Sequence, residues 1–299
     1  MNIIDTHLHL FALAQGRYHW LKAENPPFWP DKSIINREFS EQDLQLATPL
    51  KLAGFVHIEA GFDNQQPARE IAWLEQHCQL PFRSIAFIDL QLSEPEFLAQ
   101  LTQLTHYRSV VGCRYILDDD TASNQAQQLL KNARVLANLT YLANAKLVFE
   151  CQISLRNHQT VNALVALLTQ LPKLKVIINH AGFPPSSTNG PAYQQWLNSL
   201  DKLSQFKQCA IKCSGLEMLD RQYSQTRLYE TLQALVYFFG VQRIMCASNF
   251  PLCLFSHSYQ QVWQHYQQLP FDNAVIEKLC HHNAAVWYLF PPQIQLNEA

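Results

Sequence analysis

Three residues near the N-terminus, Asp5, His7 and His9, stand two apart in the run "IIDTHLHLF". Side chains alternate along an extended strand, so this spacing predicts all three on one face. Two imidazoles so placed can hold one divalent metal ion, or anchor a substrate by hydrogen bonds. An isolated His-x-His is otherwise an ordinary polar strand end. Here a third imidazole, His180, follows the apolar run "KVIIN", which weakens the plain reading.

The same pattern recurs along the chain. Short apolar runs end in Glu59, Asp89, Arg114, Glu150 and Gln152, Lys212 and Ser214, and Ser248 and Asn249. One polar strand end means little. Polar or ionisable ends on nearly every run are hard to explain as turn chemistry, because buried charge demands a partner, water, a metal or a ligand.

The elements that must position these groups alternate. The candidate strands are 3–7, 54–59, 83–88, 110–115, 146–152, 175–180, 209–214 and 244–248. Helical patterns lie between most of them, at 66–76, 94–104, 122–144, 157–171, 192–204 and 225–239. Alternation of this kind implies parallel strands with crossover connections. Eight units in 299 residues predict a single α/β domain, a (β/α)8 TIM barrel over residues 1–290 with a frayed tail at 291–299. The alternative architecture is an open doubly wound sheet. No G-x-G-x-x-G follows any strand, so no dinucleotide or other organic cofactor is expected. In a barrel the strand ends meet on one face, which brings the polar residues together. Residues 11–50 form a long loop after the first strand, with Tyr18, Trp20, Phe28 and Trp29. Such a loop either roofs a pocket, with Trp20 against the substrate, or packs on the rim. Ser40 with Asp43 marks a helix start, and 272–289 reads as a closing helix.

Bulk properties narrow the partners. Net charge is −2, charged residues make up 15%, and there is no basic run, so neither nucleic acid nor a charged membrane surface is an expected partner. No segment reads as a signal peptide or a membrane span. The eight cysteines are scattered without a C-x-x-C pair, which suits reduced thiols in a cytoplasmic protein. A small-molecule substrate is the expected partner, and exposed loop aromatics leave a homo-oligomer open.

The ordered motifs "IIDTHLHLF", "FVHIEAG", "VVGCRYIL", "VIINHAGFP", "AIKCSGL", "RIMCASNFP" and "NAAVWY" resemble those of the amidohydrolase-related (amidohydrolase 2) family. Within that family the chain is most similar to the sugar-lactone and 2-pyrone-4,6-dicarboxylate lactonase branch. The resemblance covers residue 2 to about 290 and implies a metal-dependent-hydrolase barrel that opens a cyclic ester. It also implies that His7, His9 and His180 occupy metal-ligand positions. The wider superfamily adds a histidine on strand five and a carboxylated lysine or a glutamate on strand four. Here strand five reads "FECQI" and strand four carries Arg114. A binuclear centre is therefore not expected. A mononuclear site for an ion such as zinc, on His7, His9 and His180, and a metal-free site are both open. The strand-eight Ser-Asp-Trp-Pro of many relatives is Ser248-Asn249-Phe250-Pro251 here, and a neutral amide cannot take a proton at ordinary pH.

The expected chemistry is hydrolysis by activated water. His180 or Glu59 would activate the water, and Asn249 would hold water or substrate. Arg114, Lys212, Trp20 and Ser248 would contact the substrate. Ion pairs of Glu59 with Arg114 and of Lys212 with Glu150 are the structural alternatives for those residues. His57 reads as a satisfied barrel histidine. The rival functions are a decarboxylase and a ligand-binding barrel that lost its base at Asn249.

Overall fold

The computed structural model describes residues 1–117 and 124–291. Eight parallel strands hydrogen-bond in sequence order from β1 to β8. They are β1 (Asn2–Leu8), β2 (Lys51–Ile58), β3 (Phe82–Phe87), β4 (Val110–Ile116), β5 (Val148–Gln152), β6 (Val176–Ile178), β7 (Cys209–Cys213) and β8 (Ile244–Cys246). The sheet closes through a bridge between Leu8 and Phe250, with His9 N donating to Phe250 O and Asn249 N to His7 O. This is the expected TIM barrel.

Helices cross between the strands: α1 (Ala68–His77), α2 (Glu94–Thr105), α3 (Gln125–Leu130), α4 (Ala133–Asn144), α5 (His158–Gln170) and α6 (Pro191–Ser204). They continue with α7 (Leu216–Leu219), α8 (Gln225–Phe239), α9 (Tyr259–Gln267), α10 (Asn273–Glu277) and α11 (Asn283–Trp287). Over 122–144 the expected single helix starts outside the described residues, and within them it is broken in two. Asn132 breaks it, leaving extended backbone to cap α4 by accepting from Arg134 N. The closing helix is α10 and α11 joined through a π-turn at Lys278–His282. α9 carries no expectation from the sequence. The tail from residue 292 onward lies outside the described residues.

After β1 the crossover is the long loop, with 3-10 turns at His19–Leu21, Lys32–Ile34 and Glu41–Leu44. Ser40 and Asp43 form a reciprocal cap at the last of these. All eight cysteines are unbridged, and seven are buried. Among the described residues no helix is long and apolar enough to cross a membrane.

Two apolar layers sandwich the sheet. The outer one lies between strands and helices. The inner one fills the lower barrel with Ile4, Val56, Ile85, Val148, Ile177, Ala210 and Met245, and Trp287 and Tyr288 of the closing segment pack against it. The period of two then decides what comes next along the same face. Val148 is followed by Glu150 and Gln152, and Ala210 by Lys212 and Ser214. The barrel interior therefore passes from apolar, through a charged layer, to the polar mouth.

Candidate functional site

A cavity of about 510 Å³ opens at the C-terminal ends of the strands. His9, Glu59, Asp89, Arg114, Gln152, His180 and Asn249 line its polar parts. Trp20 and Trp29 from the long loop, with Phe87 and Tyr115, form apolar walls. Trp20 is fixed by donating from Nε1 to Ala60 O at 2.8 Å.

The β1 residues are split. Pairing with β2 is irregular between Asp5 and Leu8, so the alternation fails there. His7 and His9 are adjacent, with ring centroids 5.1 Å apart. Asp5 departs from the expected common face. Its carboxylate accepts from Ser248 N at 3.1 Å and Ser248 Oγ at 2.5 Å, tying β1 to the end of β8. Burial pushes the Asp5 carboxyl up to about 6. Ser248 is spent on this tie and on accepting from Phe250 N, and it does not line the large cavity.

His180 sits in a tight turn, with φ of 52°, and its ring lies 4.4 Å from that of His7. Its Nδ1 is 3.1 Å from Ser214 Oγ. Gly215 makes room for it, because a Cβ there would fall 2.5 Å from His180 Nδ1. His7, His9 and His180 all have pKa values pushed well below the usual imidazole range. Burial is the main cause in each, reinforced by Lys212 at His7, by Arg114 at His9 and by both at His180. All three rings are neutral at pH 7 and keep a lone pair. His9 faces Ile58 O through Nδ1 at 2.8 Å, which puts the proton there and the lone pair on Nε2.

Glu59 and Arg114 form a buried ion pair. Arg114 Nε donates to Glu59 Oε1 at 2.8 Å and Nη2 to Glu59 O at 2.6 Å. Burial raises the Glu59 pKa, and the guanidinium partly offsets it. Both residues still line the cavity.

Lys212 lies lower than the sequence led us to expect. It is fully buried in the charged layer and outside the cavity lining. Its Nζ donates to both oxygens of Glu150, at 2.7 and 2.6 Å, and to Thr6 O at 2.7 Å. Glu150 also accepts from Tyr288 OH and Asn179 Nδ2, each at 2.6 Å. Burial brings the Lys212 pKa down to about 8. Strand alternation gives the side chain's face and not its depth, which is why Lys212 read as a mouth residue. His57 is a satisfied barrel histidine, as expected, with Nδ1 accepting from Leu10 N at 3.3 Å. It points out to α1, where Nε2 meets Glu70 Oε1 at 2.9 Å.

Asn249 has φ of 57° and is 1% exposed. Its Nδ2 donates to Glu217 Oε1 at 2.5 Å, and its Oδ1 has no hydrogen-bond partner. Glu217 carries no expectation from the sequence. It sits on α7, directly after β7, and burial pushes its carboxyl up to about 7. A glutamate in "SGLEML" was the one available signal.

Donor chemistry decides what cation these residues suit. Among the described residues no three His, Cys, Asp or Glu side chains stand as a ready-made metal cluster. His7 Nε2 is nevertheless buried without a partner, and His9 Nε2 carries a lone pair. His7 Nδ1 lies 3.4 Å from Lys212 Nζ, so a proton sits on Nε2 whenever that lysine is charged, and a metal there would displace it. One divalent ion fits these donors. A second does not, since Arg114 holds the strand-four position and β5 offers no imidazole.

Residues 4–290 match the amidohydrolase family. The chain belongs to that family. It is 27% identical over 300 residues to the uncharacterized protein y4mH of Sinorhizobium fredii, covering 96% of this chain and 98% of that one. It is 22% identical over 249 residues to the L-fucono-1,5-lactonase of Burkholderia ambifaria, covering 81% of each. Among solved structures, an amidohydrolase from Burkholderia multivorans with bound zinc superposes with a TM-score of 0.79 at 20% identity. That superposition covers 97% of this chain and all (100%) of the other. The amidohydrolase barrel thus carries, in this chain, three neutral imidazoles, a Glu59–Arg114 pair and an amide at the strand-eight position.

Proposed function

We propose that this amidohydrolase hydrolyses an uncharged polyhydroxylated lactone, a sugar lactone, with water as the nucleophile. The observation that carries this reading is the charge of the cavity. Among the described residues its lining holds two carboxylates, Glu59 and Asp89, and one guanidinium, Arg114, already paired to Glu59. The other strand-end cation, Lys212, is sealed below. A dianionic pyrone dicarboxylate calls for unpaired cations, whereas a neutral polyol calls for mixed donors and acceptors with aromatic faces. Trp20, Trp29, Phe87 and Tyr115 supply those faces. The distant likeness to a fuconolactonase supports the same substrate class.

Each residue then has a task. His180, neutral and hydrogen-bonded to Ser214, takes a proton from the attacking water. Arg114 keeps Nη1 turned toward Gln152, 3.4 Å from its Oε1, and stabilises charge growing on the lactone carbonyl oxygen. The imidazolium so formed on His180 then gives its proton to the departing ring oxygen, while Glu59, ionised in its pair, holds Arg114 in place. Asn249 hydrogen-bonds water or substrate through Oδ1, and Trp20 packs on the sugar face. His7 and His9 would hold a single divalent metal such as zinc, which leaves the His180 lone pair free for the proton. Such an ion supplies Lewis acidity at the carbonyl and lowers the pKa of water.

The test is a substrate panel with a pH indicator. It compares L-fucono-1,5-lactone and other aldonolactones with 2-pyrone-4,6-dicarboxylate and hydroxybenzoates. Ring opening acidifies the solution, and decarboxylation releases carbon dioxide instead. We expect kcat/KM on neutral lactones to exceed that on the dicarboxylate by about a hundredfold, since an unpaired buried charge is worth several kcal/mol. Preference for the dicarboxylate, or carbon dioxide without acid, would overturn the reading.

A further inference from the structure

The strand-eight amide cannot accept a proton, yet a buried carboxylic acid touches it. Glu217 is 2% exposed and forms no ion pair within 4.0 Å among the described residues. The neighbouring cation, Arg221, donates to the Glu217 backbone carbonyl and gives its remaining bonds to Asp31. What the Glu217 carboxyl does hold is Asn249 Nδ2, at 2.5 Å. Beyond it lies a cavity of about 10 Å³ walled by Ser214, Tyr223, Ser248 and Tyr266, with no cation among them. Keeping a carboxyl in such a place is unfavourable, and a stability argument alone would replace it by an apolar side chain.

Its contact has a directional consequence. An amide offers two chemically opposite ends, and a free Asn side chain presents either one to a pocket. With Nδ2 held by Glu217, the end left for the pocket is Oδ1, an acceptor. That atom is buried and unpartnered, on a residue that lines the main cavity. The backbone of Asn249 is fixed as well, because its N–H donates to His7 O at 2.9 Å.

We propose that Glu217 is a positioning residue, which locks the Asn249 amide with Oδ1 toward the substrate so that it accepts a hydrogen bond from the attacking water or a substrate hydroxyl. The oxygen then stands where an aspartate would offer one, with orientation in place of negative charge. Proton transfer remains with another group. This inference rests on the hydrolase reading of the cavity.

The experiment is a double-substitution cycle with an independent spectroscopic readout. Glu217→Met removes the acceptor, while Glu217→Gln keeps a carbonyl that can accept from Nδ2. We expect Glu217→Met to lower kcat by about tenfold to a hundredfold, the usual worth of a hydrogen bond to a charged group. KM should stay within about twofold, and Glu217→Gln should recover most of the loss. In an Asn249→Ala background, Glu217→Met should cost nothing further in kcat, because the two act as one unit. The Asn249 side-chain amide resonance in a nitrogen-15 spectrum should move in Glu217→Met and return toward its original position in Glu217→Gln. Independent losses in the cycle, or a Gln variant as poor as the Met variant, would overturn the proposal. If the unaltered protein turns over no lactone, the hydrolase reading fails alone, and the amide resonance still decides the contact. An unmoved resonance in Glu217→Met overturns it.

Discussion

Replacing Lys212 by Met separates a structural lysine from a substrate-binding one. The ammonium is fully buried, and its removal leaves the Glu150 carboxylate in the barrel with only Tyr288 OH and Asn179 Nδ2. Breaking a buried pair from one side destabilises by about 3–5 kcal/mol, because the remaining charge is uncompensated. With an unfolding entropy of about 2.1 cal/mol/K per residue over 299 residues, that corresponds to a Tm lowered by roughly 5–8 °C. The companion variant Lys212→Met/Glu150→Gln removes both charges and keeps an acceptor for Tyr288. It should regain at least half of the loss. Differential scanning calorimetry or urea titration at pH 7 measures both. A Tm within about 1 °C of the unaltered protein, together with a tenfold higher KM, would show that Lys212 reaches substrate, and the charged-layer reasoning would be wrong.

Gly215→Ala should displace His180, since the new Cβ would lie 2.5 Å from its Nδ1 on backbone with φ of 75°. We expect at least a tenfold loss of kcat, with about 1–2 kcal/mol lost to the left-handed backbone. Steady-state kinetics and a urea melt on one preparation check both, and unchanged kcat would clear the position. Glu217 gives a pH prediction with a fixed sign. Its folded pKa of about 7 lies above the ordinary 4.5. The stability it contributes is therefore complete below about pH 4.5 and lost as pH rises through 7, by roughly 3 kcal/mol. Glu217→Gln should flatten that part of the profile, so its stability relative to the unaltered protein should improve by that amount between pH 4.5 and 8. A constant difference across that range would contradict the assigned direction.

Where the sequence was informative, the reason is periodicity. Short apolar runs with polar ends mark parallel strands and the face they share, which is how His9, Glu59, Arg114, His180 and Asn249 come to line one cavity. Depth is less legible. Lys212 and Arg114 look alike as strand-end cations, yet one is sealed below the mouth and the other faces it. The stagger between tilted strands sets that difference, and no local pattern records it. Asp5 is lost to the site through one irregularity in β1 pairing. Glu217 lies on a four-residue helix outside any repeat, too short to carry an amphipathic signature.

The charged layer and the mouth act on each other through electrostatics. Three imidazoles, with the His7 ring centroid 4.4 Å from that of His180 and 5.1 Å from that of His9, would take up a proton if a carboxylate faced them alone. Instead Lys212 lies below them and Arg114 beside them, each with its carboxylate turned toward the cation. Burial is the main cause that keeps all three neutral, and the positive charge of the two cations adds to it; the His9 lone pair falls on Nε2, while that of His7 faces Lys212. An aspartate at position 249 would oppose that field and favour protonated histidine. The amide contributes an acceptor without adding charge. Neutral imidazoles and a neutral strand-eight residue thus belong to one arrangement, the one required by the proposed assignment of proton transfer to His180 and orientation to Asn249.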